Sequence, residues 1–278
     1  PSPPTAVAGA TSTADPNAEA LTVQLANSEV AVGMERLAFQ AVDAQGVPVP
    51  VNSTVEIGVY RVEDIAEGQT MSQRTASGPS VRFGDDLPEG GSWVVYHAFD
   101  ASGPWSIEAT VTYPDGHTGT GKARFDVIGR SRIPRVGERP NALDTPTVVE
   151  GGDVAGVTGD PEPDPALYAM TVAEAVASGK ATVVVLGAPA TCTACATVLR
   201  ELKSVKELYA SQVNFIHVES SDLANPDQPS ATAAAWGVGP AVPWTFIFDT
   251  QGYILTRVEG VIGRNELELL VKRTLGEE

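Results

Sequence analysis

The sequence predicts a multidomain chain, an all-β sandwich followed by an α/β domain, and three observations predict it. From about residue 20 to 128, apolar and polar residues alternate with a period of two, and turn residues break the runs. From residue 166 the pattern changes to short β-branched runs separated by stretches of three-and-four spacing. Between the two, residues 129–165 are dense in Pro, Gly and Asp. A chain of 278 residues is long for one domain and comfortable for two. Its 42% hydrophobic content, with no apolar run long enough to span a bilayer, reads as soluble and globular. The formal net charge of -17 excludes nucleic acid as a partner, because phosphate is repelled rather than neutralised.

The first 19 residues are rich in Pro, Ala, Ser and Thr and predict a disordered tether. Such a segment follows a cleaved signal or a lipidated cysteine, so the expected location is extracytoplasmic, with a membrane anchor at the N-terminus. Strand patterns follow in Leu21-Thr-Val-Gln-Leu, Arg36-Leu-Ala-Phe-Gln-Ala-Val-Asp, Val55-Glu-Ile-Gly-Val-Tyr-Arg-Val, Ser92-Trp-Val-Val-Tyr-His-Ala-Phe and Trp105-Ser-Ile-Glu-Ala-Thr-Val-Thr-Tyr. Turn chemistry separates them at Asp43-Ala-Gln-Gly46, Pro88-Glu-Gly-Gly91, Asp100-Ala-Ser-Gly-Pro104 and Pro114-Asp-Gly116, the last predicting a closing hairpin. Short strands at this spacing without a helical stretch predict an immunoglobulin-like sandwich over 20–128, lacking the inter-sheet disulfide of antibody domains. Trp93, Tyr96, Phe99 and Trp105 read as its core, and Asn52-Ser-Thr54 is a glycosylation-type triplet.

Residues 129–165 read as a linker whose first half lies along the following domain. In 166–278, Thr171-Val-Ala-Glu174 is a capping box for a short helix that stops at Gly179. A strand over 181–187 comes next, then a helix with apolar residues at Val198, Leu199, Leu202, Val205 and Leu208, then a strand at Val213–Glu219. An Ala-rich helix spans 230–236, strands cover 244–249 and 253–258, and a last helix starts with the capping pattern Asn265-Glu-Leu-Glu268. The order β-α-β-α-β-β-α predicts a mixed sheet flanked by helices.

The chemistry concentrates in Cys192-Thr-Ala-Cys195, which holds the only cysteines of the chain. A C-x-x-C pair closes into a redox disulfide or supplies half a metal site. No second such pair completes a zinc shell, and His97, His117 and His217 are scattered singly, so no metal or other cofactor is expected. Cys192 falls where a strand turns into a helix N-terminus, the place where a thiolate is best stabilised.

With that pair at a strand-to-helix junction, Gly239-Pro-Ala-Val-Pro243 before a strand, Gly260 after the final hairpin and a closing amphipathic helix, residues 166–278 resemble the extracytoplasmic thioredoxin and redoxin group. The resemblance implies an α/β thioredoxin fold. It implies thiol–disulfide exchange on protein disulfide or dithiol clients, with Cys192 attacking and Cys195 resolving. It makes Pro243 a cis proline and sets Val242, Pro243, Thr193 and Ala194 along the client's path; a membrane-bound redox partner is a further expectation. Two positions depart from the group: Thr191 stands where Trp is frequent, and Leu186 where many members carry a buried acid. Resolution rather than attack is then the expected weak step. Two rivals stay open. One is a non-catalytic docking subunit of a membrane-attached assembly. The other is copper transfer with His217 as third ligand, against which a lone strand histidine is more often structural.

Overall fold

The computed structural model describes residues 18–66, 69–88, 90–141, 144–148 and 152–277. Most of the expected tether, residues 1–17, lies outside them. Nine strands come first: β1 (Glu19–Leu25), β2 (Val30–Ala31), β3 (Gly33–Val42), β4 (Thr54–Ala66), β5 (Gln69–Pro79), β6 (Val81–Phe83), β7 (Ser92–Phe99), β8 (Gly103–Thr112) and β9 (Thr118–Ile128). They hydrogen-bond along one path, β5-β4-β8-β9-β1-β3-β7-β6, with β2 added beside β9. The two ends of this path, β5 and β6, are consecutive in the chain and separated by Ser80 alone. Ser80 donates both its N–H and its hydroxyl to the Val55 carbonyl, each at 2.9 Å, at the step where the chain leaves one edge for the other. The result is a nearly closed, barrel-like sheet. Inside it Leu37, Phe39, Ile57, Phe99, Trp105 and Ile107 are buried, and Phe99 meets Trp105 edge to face at 4.9 Å between centroids.

The second part begins after Pro165–Tyr168, a 3-10 turn. Its elements are α1 (Val172–Ala177), β10 (Ala181–Gly187), α2 (Thr193–Tyr209), β11 (Val213–Glu219), α3 (Ala231–Ala235), β12 (Trp244–Phe248), β13 (Ile254–Glu259) and α4 (Arg264–Leu275). The four strands form a sheet of order β11-β10-β12-β13. β10 pairs parallel with β11 and antiparallel with β12, and β13 pairs antiparallel with β12. Every residue of β10 is buried, as a central strand covered on both faces requires. Val183 and Val185 pack with Val198, Leu199, Leu202 and Leu267 on one face, and Val184 and Leu186 with Ala175, Trp236 and Phe246 on the other.

These observations correct the expected fold class. The N-terminal strands do not stand as two separate facing sheets of an immunoglobulin-like sandwich, because β5 and β6 join what would be the two open edges. Strand accounts for 39% of the chain and helix for 18%, so the molecule is nearly all β, and the expected α/β thioredoxin fold is set aside. Helix is scarce because α1 has six residues, stopping before Gly179 at φ 77°, and α3 has five; only α2 and α4 reach three turns. Two smaller expectations change as well. Tyr96 is 37% exposed rather than core, and α4 begins after Gly263 without a side-chain cap, with Asn265 inside the helix.

Residues 129–164 carry no strand or helix among the described residues, yet they are tied to the edge strand β13 and to α2. Gly137 N–H donates to Ile254 O at 2.8 Å and Ile254 N–H to Glu138 O at 2.9 Å. Lys203 and Lys206 of α2 pair with Asp160 and Asp164 at 2.6 and 2.8 Å. The two parts meet through buried charge. Arg36 of β3 holds Glu266 of α4 through two bonds of 2.6 and 2.7 Å, with 3% and 1% of the side chains exposed. Arg257 of β13 pairs with Glu35 of β3 and donates to Ile133 O at 3.3 Å. Burial first, then the charge of Glu266, hold the Tyr96 phenol well above its ordinary pKa, so its hydroxyl stays a donor to Glu266 at 3.2 Å.

Candidate active site

At the C-terminal end of β10 the chain turns tightly: Thr191 and Cys192 both donate N–H to the Ala188 carbonyl, at 3.1 and 3.0 Å. This turn delivers Cys192 to the N-cap of α2 in an extended conformation (φ -125°, ψ 107°). Its sulfur accepts the Cys195 N–H at 3.1 Å, one of the donors a helix start leaves free. Cys192 and Cys195 form a disulfide across 5.1 Å between Cα atoms. The two sulfurs differ in access, because Cys192 is partly exposed whereas Cys195 is 1% exposed beneath the first turn. Thr193 is exposed and Ala194 half-buried on that turn. No acidic residue sits in the first turn of α2, so nothing there opposes the positive end of a 17-residue helix.

The loop over 239–243 closes the other side. The Ala241 carbonyl oxygen lies 3.4 Å from Cys192 Sγ, and Val242 is 37% exposed beside it. Pro243 is buried, and its carbonyl accepts the Gly260 N–H at 2.9 Å, which joins the glycine at φ 80° to the start of β12. The expected cis bond before Pro243 is corrected: this peptide is trans, and the Ala241 carbonyl reaches Cys192 with a trans bond following it. The structure thus brings Cys192, Cys195, Thr193, Ala194, Val242 and Pro243 to one end of the sheet.

His217 lies on the same face of the sheet as α2, since it shares the parity of Val213 and Phe215, which pack there. It is 3% exposed. Its Nε2 meets the Gly187 carbonyl at 3.1 Å, which makes Nε2 the protonated nitrogen, and the Tyr168 hydroxyl donates to Nδ1 at 2.7 Å. Burial lowers its pKa to about 4, so the ring is neutral and both nitrogens are occupied. That leaves no lone pair for copper, and no group of three or more His, Cys, Asp or Glu able to hold a metal occurs among the described residues. Leu186 packs fully buried with Ala233 and Trp236.

Two residues escaped the sequence reading. A Cβ on Gly187 would stand 3.1 Å from Cys195 Cβ and 3.6 Å from its sulfur, so this glycine sets how closely α2 approaches β10. Nothing in the local pattern marks it, since a glycine ending a strand reads as a breaker. Glu219, opposite Gly187 in the β10–β11 register, accepts from Gly159 N–H at 2.8 Å and Ser221 Oγ at 2.9 Å. Its donors lie up to 60 residues away, beyond any local signal.

No protein-family model matches the chain, and no curated protein matches it. Among solved structures, a thiol:disulfide interchange protein of the thioredoxin family from Chlorobium tepidum is 20% identical, over 49% of this chain and 100% of that one, with a TM-score of 0.29. The fibronectin type-III domain of human fibronectin type III domain containing protein 3 is 14% identical, over 44% of this chain and 95% of that one, with a TM-score of 0.23. An engineered protein is 15% identical at a TM-score of 0.25; the match covers 40% of this chain and spans 20% of the length of that one. The neighbours thus include a thioredoxin-family protein and an immunoglobulin-like domain, and at these TM-scores neither likeness carries an argument about this chain.

Proposed function

We propose that the Cys192–Cys195 pair is redox-active and that the chain exchanges it with the disulfides or dithiols of client proteins. One observation carries this reading: a partly exposed cysteine caps a long helix with its sulfur, and its partner sulfur is buried one turn below. In the reduced protein the helix N-terminus and the Cys195 N–H favour the Cys192 thiolate over the thiol. That thiolate attacks one sulfur of a client disulfide, and the client's other sulfur leaves as a thiolate. Cys195, losing its proton, then attacks Cys192 Sγ and expels the first client sulfur. Two electrons pass from the protein pair to the client, and the run reversed oxidises a client dithiol. The Ala241 carbonyl lies beside Cys192 and Val242 is exposed next to it, and an extended client segment is to pass there.

The test is the reduction potential of the pair, from thiol quantification in glutathione and dithiothreitol buffers. A reversible couple between roughly -120 and -270 mV is expected, the span of known dithiol oxidoreductases. A bond that resists reduction below about -300 mV would make it structural and leave the docking-subunit reading ahead. Cys195→Ser is expected to accumulate a mixed disulfide through Cys192, seen as a mass adduct removed by dithiothreitol.

A further inference from the structure

Beside the disulfide runs a groove that the exchange chemistry does not use. It has a volume of about 510 Å3 and passes between the chain leading into the second sheet, the end of β11 with the loop after it, and the start of α3. Asp144, Glu219 and Asp222 contribute carboxylates to its wall, Val157 and Leu223 apolar surface, and no Lys or Arg lines it among the described residues. Asp144 and Asp222 are exposed; Asp222 Oδ1 accepts the N–H groups of Ala224 and Asn225 at 2.8 and 3.3 Å, which leaves its second oxygen toward solvent, and Glu219 is held by Gly159 and Ser221. The groove adjoins the reactive end through Gly159: a Cβ there would lie 2.9 Å from Ala190 Cβ, 3.5 Å from Glu219 Oε2 and 3.7 Å from Leu223 Cδ2. Ala190 precedes Cys192 by two residues, at most about 7 Å of chain. An extended polypeptide leaving the Cys192 sulfur, at about 3.3 Å per residue, reaches the groove within roughly two to four residues.

We propose that this groove is a client subsite and that it takes a Lys or Arg side chain two to four residues from the client's reacting cysteine. The inference rests on the thiol–disulfide reading above. A basic side chain fits both features of the wall, its aliphatic stem against Val157 and Leu223 and its charged head between Asp144 and Asp222. The charge of -17 steers the same clients toward the surface. Pairing in so open a groove is screened by salt.

The experiment uses the full chain, reduced and freed of reductant, and peptides whose single cysteine carries glutathione in a mixed disulfide. One peptide has Lys three positions from the cysteine and the other has Glu. Attack of Cys192 on the peptide sulfur releases glutathione, and Cys195 then releases the peptide thiol. The Lys peptide is expected to react about tenfold faster at low salt. Asp144→Asn with Asp222→Asn is expected to bring the two peptides within about twofold, while the rate with neutral hydroxyethyl disulfide stays unchanged. Equal rates for the two peptides in the unaltered protein, or a Lys preference that survives in the double variant, overturn the subsite and leave the redox reading standing. If no disulfide reacts, the redox reading falls instead, and the Lys peptide with serine for cysteine decides the groove. Amide shifts at Thr145, Ser221 and Leu223 on adding that peptide support the groove, and their absence overturns it.

Discussion

The two sheets end differently, and the chemistry follows the difference. In the nine-stranded sheet the edges β5 and β6 are one continuous piece of chain, and its interior is filled by side chains such as Phe39, Phe99 and Trp105. No cysteine and no group of three or more His, Cys, Asp or Glu able to hold a metal lies within its described residues. The four-stranded sheet stays open, with β10 and β11 parallel and their C-terminal ends side by side. Open sheets with parallel strands offer a crevice outside those ends, and the disulfide, the 239–243 loop and the acidic groove all gather there. Among the contacts that join the halves are the buried Arg36–Glu266 and Arg257–Glu35 pairs.

That junction is the place to break the comparison first. Arg36→Met leaves the Glu266 carboxylate buried, with the Tyr96 hydroxyl as its one remaining side-chain donor among the described residues. Breaking such a pair costs about 3–5 kcal/mol, because the remaining charge is uncompensated. Urea denaturation should show that loss, and adding Glu266→Leu to Arg36→Met should restore most of it. A loss below about 1 kcal/mol would place the pair with ordinary surface ion pairs and remove it as a lock between the halves.

The next effect separates the halves by pH. His217 in the second sheet and His97 in the first both have pKa values lowered by burial, His217 to about 4. The folded state therefore refuses a proton that the unfolded chain accepts from about pH 6.5 downward. Stability from His217 is present above that value and is lost as pH falls toward 4, by up to about 3 kcal/mol. Comparing urea midpoints at pH 7 and 4.5, His217→Gln should lose much less than the unaltered protein, and His97→Gln should change the slope little. Equal slopes for the unaltered protein and His217→Gln would mean that water or a shifted Tyr168 solvates the imidazolium.

What the sequence disclosed divides along physical lines. The strands β3, β4, β7, β8 and β10 were legible because one or both faces are apolar, and the turn at Pro114–Gly116 because glycine there takes φ 90°. β5 was not, since Gln69–Pro79 holds few apolar residues and no alternating pattern, and forms through its pairing with β4. Missing β5 is what turned a nearly closed sheet into an expected sandwich: the joint at Ser80 is visible only once both edges are known. The cysteine pair stands out by spacing and flanks. The trans bond before Pro243 does not, since the surrounding residues set that isomer. The Glu266 partner of Arg36 is 230 residues away, and Glu266 looked like part of a helix cap. Contacts of that separation leave no periodic trace.

The smallest effect is also the most discriminating between the halves, because one substitution changes sign between them. Gly187 and Gly78 both lie in strands with ordinary backbone angles, so adding a methyl group tests space alone. At Gly187 the methyl meets Cys195 Cβ at 3.1 Å, so α2 must shift outward by a few tenths of an ångström. At Gly78 nothing lies within 4 Å. Gly78→Ala should stabilise by about 0.4–1 kcal/mol, through the entropy removed from the unfolded chain. Gly187→Ala carries the same entropic gain but forces a packed contact, which costs about 1–3 kcal/mol. Thermal unfolding of the two variants should move in opposite directions. Because the clash falls on the buried cysteine, Gly187→Ala should also slow release of the mixed disulfide, which requires Cys195 to reach Cys192. If Gly187→Ala melts no lower than the unaltered protein, the approach of α2 to β10 is slack, and Cys195 is not held in place by the strand beneath it.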